Sequence, residues 1–246
     1  MRPLFVLTRV ECALFLREPA SVLFTFALPL VLLSLNGANG NRPSDLLAGA
    51  GYIDVLMAGY LVYVMTTSGV MGMAETLADY RDKGILRRMR VSPLRPWQIL
   101  GSHALMNLAV SVLGAVLLVA VAGSFFGLSR PVSIPLVLLA LAATACCVLA
   151  LGFLLGAMLP TVRMTQAVTS ALYFPSIFIS GALFPRESLP ELAQRISDVL
   201  PVTYAVQAIR KAWAHGVLDG TALVVLVVTA VVAVTVALRA FRWESR

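Results

Sequence analysis

The residue types that bind metal ions or perform redox chemistry are few in this sequence, and their spacing fits no such site. The two histidines, His103 and His215, lie far apart, and neither belongs to an HExxH motif. Cys12 is isolated, while Cys146 and Cys147 are adjacent, which is not the CxxC spacing of a zinc or thiol redox site. We therefore expect no metal and no redox cofactor in this chain.

Motifs for nucleophilic catalysis and for ATP binding are also missing. Ser180 precedes Gly181, but the GxSG form of an intramembrane serine protease is absent because residue 178 is Phe. No GxxxxGK[ST] sequence occurs, so the chain has no phosphate-binding loop that could hold ATP. The sequence thus predicts a protein that is not an enzyme, with no catalytic residues and no cofactor of its own.

The composition indicates a membrane protein. Of the 246 residues, 59% are hydrophobic and only 13% are charged, and the mean hydropathy is +0.89. Soluble domains carry about a quarter charged residues. A helix needs about 20 mostly apolar residues to cross the hydrocarbon core, and the alternating polarity of barrel strands is not seen here. The sequence predicts an all-α integral membrane protein with six transmembrane helices. These spans cover residues 20–37, 54–74, 99–122, 134–158, 165–183 and 220–238.

The middle of the predicted spans carries no ionisable residue apart from His103, which lies near the cytoplasmic end of the third span. A carrier driven by a proton or ion gradient would need such a residue at mid-membrane. We therefore expect any transport by this chain to use an energy source in another protein.

The basic residues lie mostly on one side of the predicted spans. Thirteen of the 19 Lys and Arg residues fall before the first span, between the second and third, between the fourth and fifth, or after the last. Because basic loops stay in the cytoplasm, both termini are predicted to be cytoplasmic. The same distribution explains the net charge of +7 without a nucleic-acid partner. The first span has no convincing cleavage site, so we interpret it as an uncleaved span.

The N-terminal segment, residues 1–19, is mostly apolar, and its Arg2 and Arg9 are one heptad apart. This pattern predicts an interfacial helix that lies among the lipid headgroups. An extension of the first span explains the pattern equally well.

The cytoplasmic segment 75–98 is the most charged part of the chain. Glu75, Asp79 and Lys83 follow one another at i, i+4 spacing, and Asp82 lies three residues after Asp79. A solvated loop would explain the arginines but not the acidic residues. We therefore predict a short cytoplasmic helix that serves as a docking surface.

The outer segment 184–219 is long for a connection between two spans. The sequence from Ser188 to Glu191 matches a capping box, which predicts a helix that ends before Pro201. Its apolar face would hold Leu189, Leu192, Ile196, Val199 and Leu200. A second amphipathic helix is predicted over 202–213, so two short outer helices precede the last span.

Three stretches resemble the type-2 ATP-binding-cassette exporter permeases, the membrane subunits of bacterial drug and antibiotic efflux pumps. Residues 75–93 (ETLADYRDKGILRRMRVSP) are similar to the charged loop after the second span of that family. Residues 180–190 (SGALFPRESLP) and 200–210 (LPVTYAVQAIR) are similar to its signature between the last two spans. The C-terminal Phe241-Arg242-Trp243 is a weaker similarity. The resemblance extends over the whole chain, 1–246, as a single transmembrane permease domain.

The resemblance implies a homodimer or heterodimer of permeases, bound to a separate cytoplasmic ATPase that holds ATP and Mg²⁺. The charged segment would couple the two proteins through Glu75, Asp79, Arg81, Asp82, Lys83, Gly84, Arg87 and Arg88. The substrate path would lie between subunits, along Tyr60, Tyr63, Met65, Thr66, Thr67, Phe174, Ile177, Phe178 and Ser180. The outer signature would comprise Gly181, Pro185, Glu187, Pro190, Pro201, Tyr204 and Arg210.

Aromatic, Met and Thr side chains suit bulky amphipathic substrates because they pack without charge pairing. Ordinary helix packing is the alternative for each of these residues. The resemblance predicts a multi-pass subunit in the cell (inner) membrane that exports a hydrophobic drug or antibiotic-like compound. The alternatives are a lipid or polysaccharide exporter and a membrane anchor or assembly protein without transport.

Overall fold

The computed structural model describes residues 2–38, 41–42, 51–84 and 96–240, and every regular element within these ranges is helical. We number the helices in chain order. They are α1 (Arg2–Leu16), α2 (Pro19–Gly37), α3 (Tyr52–Asp82), α4 (Pro96–Phe125), α5 (Ile134–Met158), α6 (Val162–Ile179), α7 (Glu191–Ser197), α8 (Pro201–His215) and α9 (Gly220–Ala240). Both α2 and α3 contain a π-helical segment, over Leu23–Ala27 and Thr67–Gly72 respectively.

Five of these helices are long and apolar enough to cross a membrane, namely α2, α3, α4, α5 and α9. They match five of the six predicted spans. Large apolar side chains such as Val116, Leu138 and Val228 are exposed along them. Apolar surface on this scale is unfavourable in water and favourable against lipid tails. The chain is therefore a multi-pass membrane protein.

Helix α6 covers most of the predicted fifth span but is less apolar than the other five. It has 18 residues, and Arg163 and Gln166 lie in its first turns. It ends at Ile179 rather than at Leu183, because the chain turns after Ser180 and Gly181 adopts a left-handed backbone with φ of +86°. The count of six spans thus stays a prediction.

Helix α3 is the central element of the bundle. In its most apolar window 89% of the residues are buried, against 22–39% for the other four candidate spans. It packs against α4, α5 and α8, which together enclose large side chains such as Tyr60, Leu61 and Ile53. A helix that is apolar on all sides is stable only when other helices surround it or lipid covers it.

Helices α3 and α5 approach each other closely through glycine. A Cβ atom added to Gly152 of α5 would collide with the carbonyl oxygen of Gly69, and it would lie 2.9 Å from the Cβ of Met73. At Gly156, one turn further, it would lie 3.0 Å from the carbonyl oxygen of Ala74. The two glycines form a GxxxG pair, the spacing that lets membrane helices make backbone contact.

The N-terminal segment is a helix of its own. A break at Arg17 and Glu18 separates α1 from α2, and Glu18 has an extended backbone. Helix α1 packs along α4. This break favours a separate N-terminal helix over a simple extension of the first span.

The predicted capping box in the 184–219 segment is wrong. Helix α7 begins at Glu191, and Pro190 occupies the N-cap position without a side-chain hydrogen bond. Ser188 instead ends a 3₁₀ turn, Arg186–Ser188, and its hydroxyl donates to the carbonyl of Pro185 at 2.7 Å. The predicted apolar face exists, but Leu192 is 71% exposed, so this face lies on the surface of the chain.

The second predicted helix of this segment is confirmed as α8. It begins with Pro201, which suits a first helical turn, and it ends at Gly216, whose φ is +62°. Its predicted apolar face is buried, with Ile209 and Trp213 turned inward. Because α8 packs against α3, α5 and α9, it is part of the bundle core.

Candidate functional site

The charged residues predicted to meet an ATPase lie on α3 itself. The helix runs for 31 residues from Tyr52 to Asp82 without interruption. It stops because Gly84 takes a left-handed backbone with φ of +64°, a geometry that ends helices. The helix predicted in the 75–98 segment is present over residues 75–82 as a continuation of the second span, while its predicted part after Gly84 lies outside the described residues. We call residues 75–84 the charged end of α3.

Part of the charged end is exposed. Lys83 donates to the Asp79 carboxylate at 2.8 Å, and the side chain of Lys83 is 65% exposed. Asp82 is exposed as well, while Glu75 is partly buried. The predicted positions Arg87 and Arg88, like the C-terminal 241–243, lie outside the described residues.

Arg81 is turned into the protein. It is only 6% exposed. One guanidinium nitrogen donates to the carbonyl of Leu159 at 2.6 Å, and the other donates to Gly156 at 2.9 Å and to Ala157 at 3.4 Å. These carbonyls surround the C-terminus of α5, where helix geometry leaves them without partners. Arg81 thus caps α5 and does not lie on the exposed surface predicted for docking.

Asp82 has the complementary role at the next helix. Its carboxylate accepts a hydrogen bond of 3.0 Å from the backbone N–H of Val162, the first residue of α6. The Thr161 hydroxyl accepts from Met164 in the same first turn. The N-terminus of α6 is therefore satisfied by one local and one distant side chain.

A second polar cluster joins α1 and α4 to the charged end. The Tyr80 hydroxyl donates to the Glu11 carboxylate, and His103 Nδ1 lies 3.7 Å from the other Glu11 oxygen. Burial alone would raise the pKa of Glu11, but His103 and Tyr80 together hold that pKa below its usual value. In the described ranges no three His, Cys, Asp or Glu side chains come close enough to hold a metal ion.

The substrate-path residues predicted on α3 lie in its buried part. The side chains of Tyr60, Tyr63, Met65 and Thr66 are all buried. Tyr63 donates to the carbonyl of Phe24 at 3.1 Å, and Thr66 donates back to its own helix. Within a single chain these residues serve helix packing.

The predicted residues on α6 divide between its two faces. Ile177 and Ser180 are buried, whereas about half of the Phe174 and Phe178 surface is exposed. Tyr173, a residue the sequence analysis did not select, lies 2.5 Å from the hydroxyl of Thr67 and joins α6 to α3. The structure thus links α6 to the α3 candidate Thr67 through a partly buried hydrogen bond from Tyr173, and leaves the rings of Phe174 and Phe178 exposed.

Four of the predicted signature residues, Gly181, Pro185, Glu187 and Arg210, come together beside α8. Arg210 donates to Glu187 at 2.7 Å. The Tyr204 hydroxyl donates to the carbonyl of Asp198 at 2.8 Å. A small cavity forms here, and its lining includes Gly181, Pro185, Glu187 and Arg210. Pro190 and Pro201 are the residues at which α7 and α8 begin.

The sequence analysis missed several residues that hold the opposite end of α3. The Asn41 side-chain oxygen accepts from the Ile53 N–H at 2.9 Å. Asp54 accepts from both the backbone and the hydroxyl of Ser129, at 2.9 and 2.7 Å. Trp213 donates to the Ser129 carbonyl at 3.1 Å. Nothing in the local pattern indicates these contacts, because they join residues more than ten positions apart.

Comparison with known proteins gives a consistent result. A family model described as ABC-2 type transporter matches residues 2–213. The chain is 28% identical over 223 residues to a Cyanophora paradoxa protein named as transport permease ycf38, covering 87% of this chain and 75% of that protein. It is 27% identical over 195 residues to nodulation protein J of Rhizobium meliloti (strain 1021), covering 78% of this chain and 73% of that protein.

A third relative is longer. It is an Escherichia coli (strain K12) protein named as multidrug ABC transporter permease YbhR, 25% identical over 145 residues. The match covers 58% of this chain but only 39% of that relative. The chain therefore spans well under half of some of the relatives it matches.

Proposed function

Because the chain belongs to the ABC-2 type transporter family and is the membrane permease subunit of an ABC transporter, we propose that it exports a hydrophobic compound with energy from ATP hydrolysed by a separate subunit. That ATPase holds ATP and Mg²⁺ and docks on the charged end of α3. In this proposal the charged end and both termini face the cytoplasm of the cell, and the chain resides in the plasma (inner) membrane.

The observation that carries the proposal is the contrast between the two parts of α3. Its apolar length is the most buried of the five candidate spans. Its last turn carries the Asp79–Lys83 ion pair, in which the Lys83 side chain is exposed and the Asp79 side chain is partly exposed. A partner that moves these residues would move a helix packed against α4, α5 and α8. Exposed charges of both signs also suit a water-soluble partner whose surface carries complementary charges.

The substrate class is proposed from α6. No charged residue lies between Thr165 and Ile179, and the rings of Phe174 and Phe178 are exposed. Phe178 stacks on Phe184, with ring centroids 6.4 Å apart. Aromatic surfaces without charge bind flat, apolar molecules well. The relative named as a multidrug permease supports a drug-like or antibiotic-like substrate.

We further propose that two permease chains, identical or related, enclose the substrate path. Four of the five α3 candidates are buried within one chain and Thr67 is partly exposed, so the aromatic face of α6 is the largest part that a second subunit or a substrate can reach. A lipid or polysaccharide substrate would leave the same framework in place. The exposed rings favour an apolar aromatic compound over a sugar polymer.

The docking proposal is tested by co-expressing the chain with its ABC ATPase and purifying the complex. We expect Lys83→Glu to reduce the co-purified ATPase about tenfold or more, because like charges at an interface cost several kcal/mol. Arg195→Glu is the matched control, since Arg195 forms another exposed i, i+4 pair, 4.0 Å from Glu191. Equal ATPase recovery with both variants would contradict the proposed docking surface.

The substrate proposal is tested in cells that depend on this transporter for resistance to hydrophobic antibiotics. Phe174→Ala and Phe178→Ala are expected to lower resistance, while Leu172→Ala, another exposed residue of α6, is the control. Unchanged resistance in both Phe variants, together with intact ATPase binding, would favour the anchor or assembly function without transport.

A further inference from the structure

Arg81 and Asp82 are adjacent residues of opposite charge that bind the two ends of one connection. Arg81 donates to carbonyls at the C-terminus of α5, and Asp82 accepts from the first N–H of α6. The connection between these helices is short, from Leu159 to Thr161. The last residues of α3 are thus bonded to both helices of the α5–α6 hairpin.

The signs of the charges fit the helix termini. A helix C-terminus carries partial negative charge and an N-terminus partial positive charge, so a guanidinium is favourable at the end of α5 and a carboxylate at the start of α6. Exchanging the two residues would place each charge at the wrong terminus. The order Arg-Asp is therefore specific to this arrangement.

The chain itself provides no short covalent route between these parts. After Gly84 it continues towards α4, and α5 and α6 follow only later. Movement of the charged end can reach the hairpin directly only through non-covalent contacts. Close packing of α3 on Gly156 holds α5, and the Asp82 bond reaches α6 at its first residue.

We propose that Arg81 and Asp82 form a latch that transmits movement of the charged end of α3 to the α5–α6 hairpin, so that α6 shifts when the ATPase binds nucleotide. The inference rests on the proposed function, because it requires an ATPase at the charged end. Arg81 and Asp82 act as positioning residues. Lys83 and Asp79, on the exposed side of the same turn, bind the partner. The aromatic face of α6 is the part that the latch moves.

The test uses the full permease–ATPase complex. Native Cys12, Cys146 and Cys147 are replaced, and spin labels are placed at Arg163 of α6 and Leu105 of α4, which are both exposed. The distance between the labels is measured without nucleotide and with a non-hydrolysable ATP analogue. The parent complex is expected to show a nucleotide-dependent shift.

Asp82→Ala and Arg81→Met are expected to abolish this shift. ATPase co-purification and basal ATP hydrolysis should change by no more than about twofold, which is small beside the 5–150-fold effects that are common for coupling between sites. Asp82→Asn keeps an acceptor oxygen and should restore most of the shift. Asp82→Ala removes an exposed carboxylate and guards against the case in which Arg81→Met fails to fold. A short bismaleimide that joins Asp82→Cys to Val162→Cys should restore the shift covalently.

The outcomes separate the two proposals. If the unaltered chain does not bind the ATPase, the proposed function is wrong. If it binds but the labels do not move with nucleotide, or if they still move in both Asp82→Ala and Arg81→Met, the latch is wrong. Loss of folded complex in Asp82→Ala and Asp82→Asn alike would show a purely structural role and would also overturn it.

Discussion

The close approach of α3 and α5 at Gly152 gives the sharpest prediction about stability. In Gly152→Ala the new methyl group would collide with the carbonyl oxygen of Gly69 and lie 3.0 Å from that of Val70. Backbone oxygens cannot rotate away as a side chain can, so α3 and α5 must separate. Overpacking of this kind costs about 3 kcal/mol, the upper part of the usual range.

Two other glycines provide comparisons for this loss of stability. Alanine favours a helix over glycine by about 1 kcal/mol, which leaves a net loss of about 2 kcal/mol for Gly152→Ala. Gly156→Ala meets its nearest atom at 3.0 Å, so we expect its strain and its helix preference to nearly cancel. Gly123 of α4 has no atom within 4 Å of the position a Cβ would occupy, so Gly123→Ala is the matched control and should be neutral or stabilising.

The measurement is unfolding of the purified protein from mixed micelles by titration with sodium dodecyl sulfate, followed by circular dichroism. The unfolding constants of Gly152→Ala and Gly123→Ala should differ about 100-fold, which corresponds to about 3 kcal/mol. The reasoning is refuted if Gly152→Ala unfolds at the same detergent fraction as Gly123→Ala. In that case the helices would not be in the backbone contact described above.

Three further predictions concern the opposite end of α3 and the start of α9. Trp213→Phe removes the hydrogen bond to the Ser129 carbonyl and should cost about 1 kcal/mol in the same titration; no loss would mean that this bond is not made. Asn41→Ala removes an acceptor for the first N–H groups of α3 and should also cost about 1 kcal/mol, whereas an unchanged midpoint would argue against this cap. The Lys211 ammonium, 2.7 Å away, holds the pKa of Asp219 below its usual 3.8. The ionised carboxylate therefore stabilises the folded protein at pH values above 3.8. This stabilisation is lost as the pH falls through the lower pKa that Asp219 has in the folded state. Thermal stability should therefore drop below about pH 4 more steeply in the parent protein than in Asp219→Asn, and parallel profiles would refute the pairing.

Much of the architecture could be predicted from local composition. Lipid solvates no backbone polar groups, so a stretch of about 20 apolar residues is forced into a helix wherever it occurs. This rule located α2, α3, α4, α5 and α9. The apolar face of α8 could also be predicted, because the helical spacing of its apolar residues is a property of the local sequence. The GxxxG pair of α5 is also a sequence signal for close contact between membrane helices.

The missed features depend on which neighbour a residue meets. Residues 188–191 carry a capping-box pattern, yet Ser188 bonds to Pro185 because a 3₁₀ turn precedes the helix. Tyr60 and Phe174 were both predicted to line a substrate path, but Tyr60 is buried inside the bundle and Phe174 is exposed on its surface. Periodicity alone does not distinguish these cases in a helix that is apolar on every side.

The division between sequence and tertiary structure is clearest at the charged end of α3. Composition alone determined that this is a membrane protein of apolar helices with a charged segment after the second span, because hydropathy is a local property. Only the tertiary structure decided that Lys83 faces outward while Arg81, two residues earlier, is buried against α5. The cause is the helix C-terminus supplied by residues 156–159, whose unpaired carbonyls stabilise a buried cation that the sequence pattern would assign to solvent.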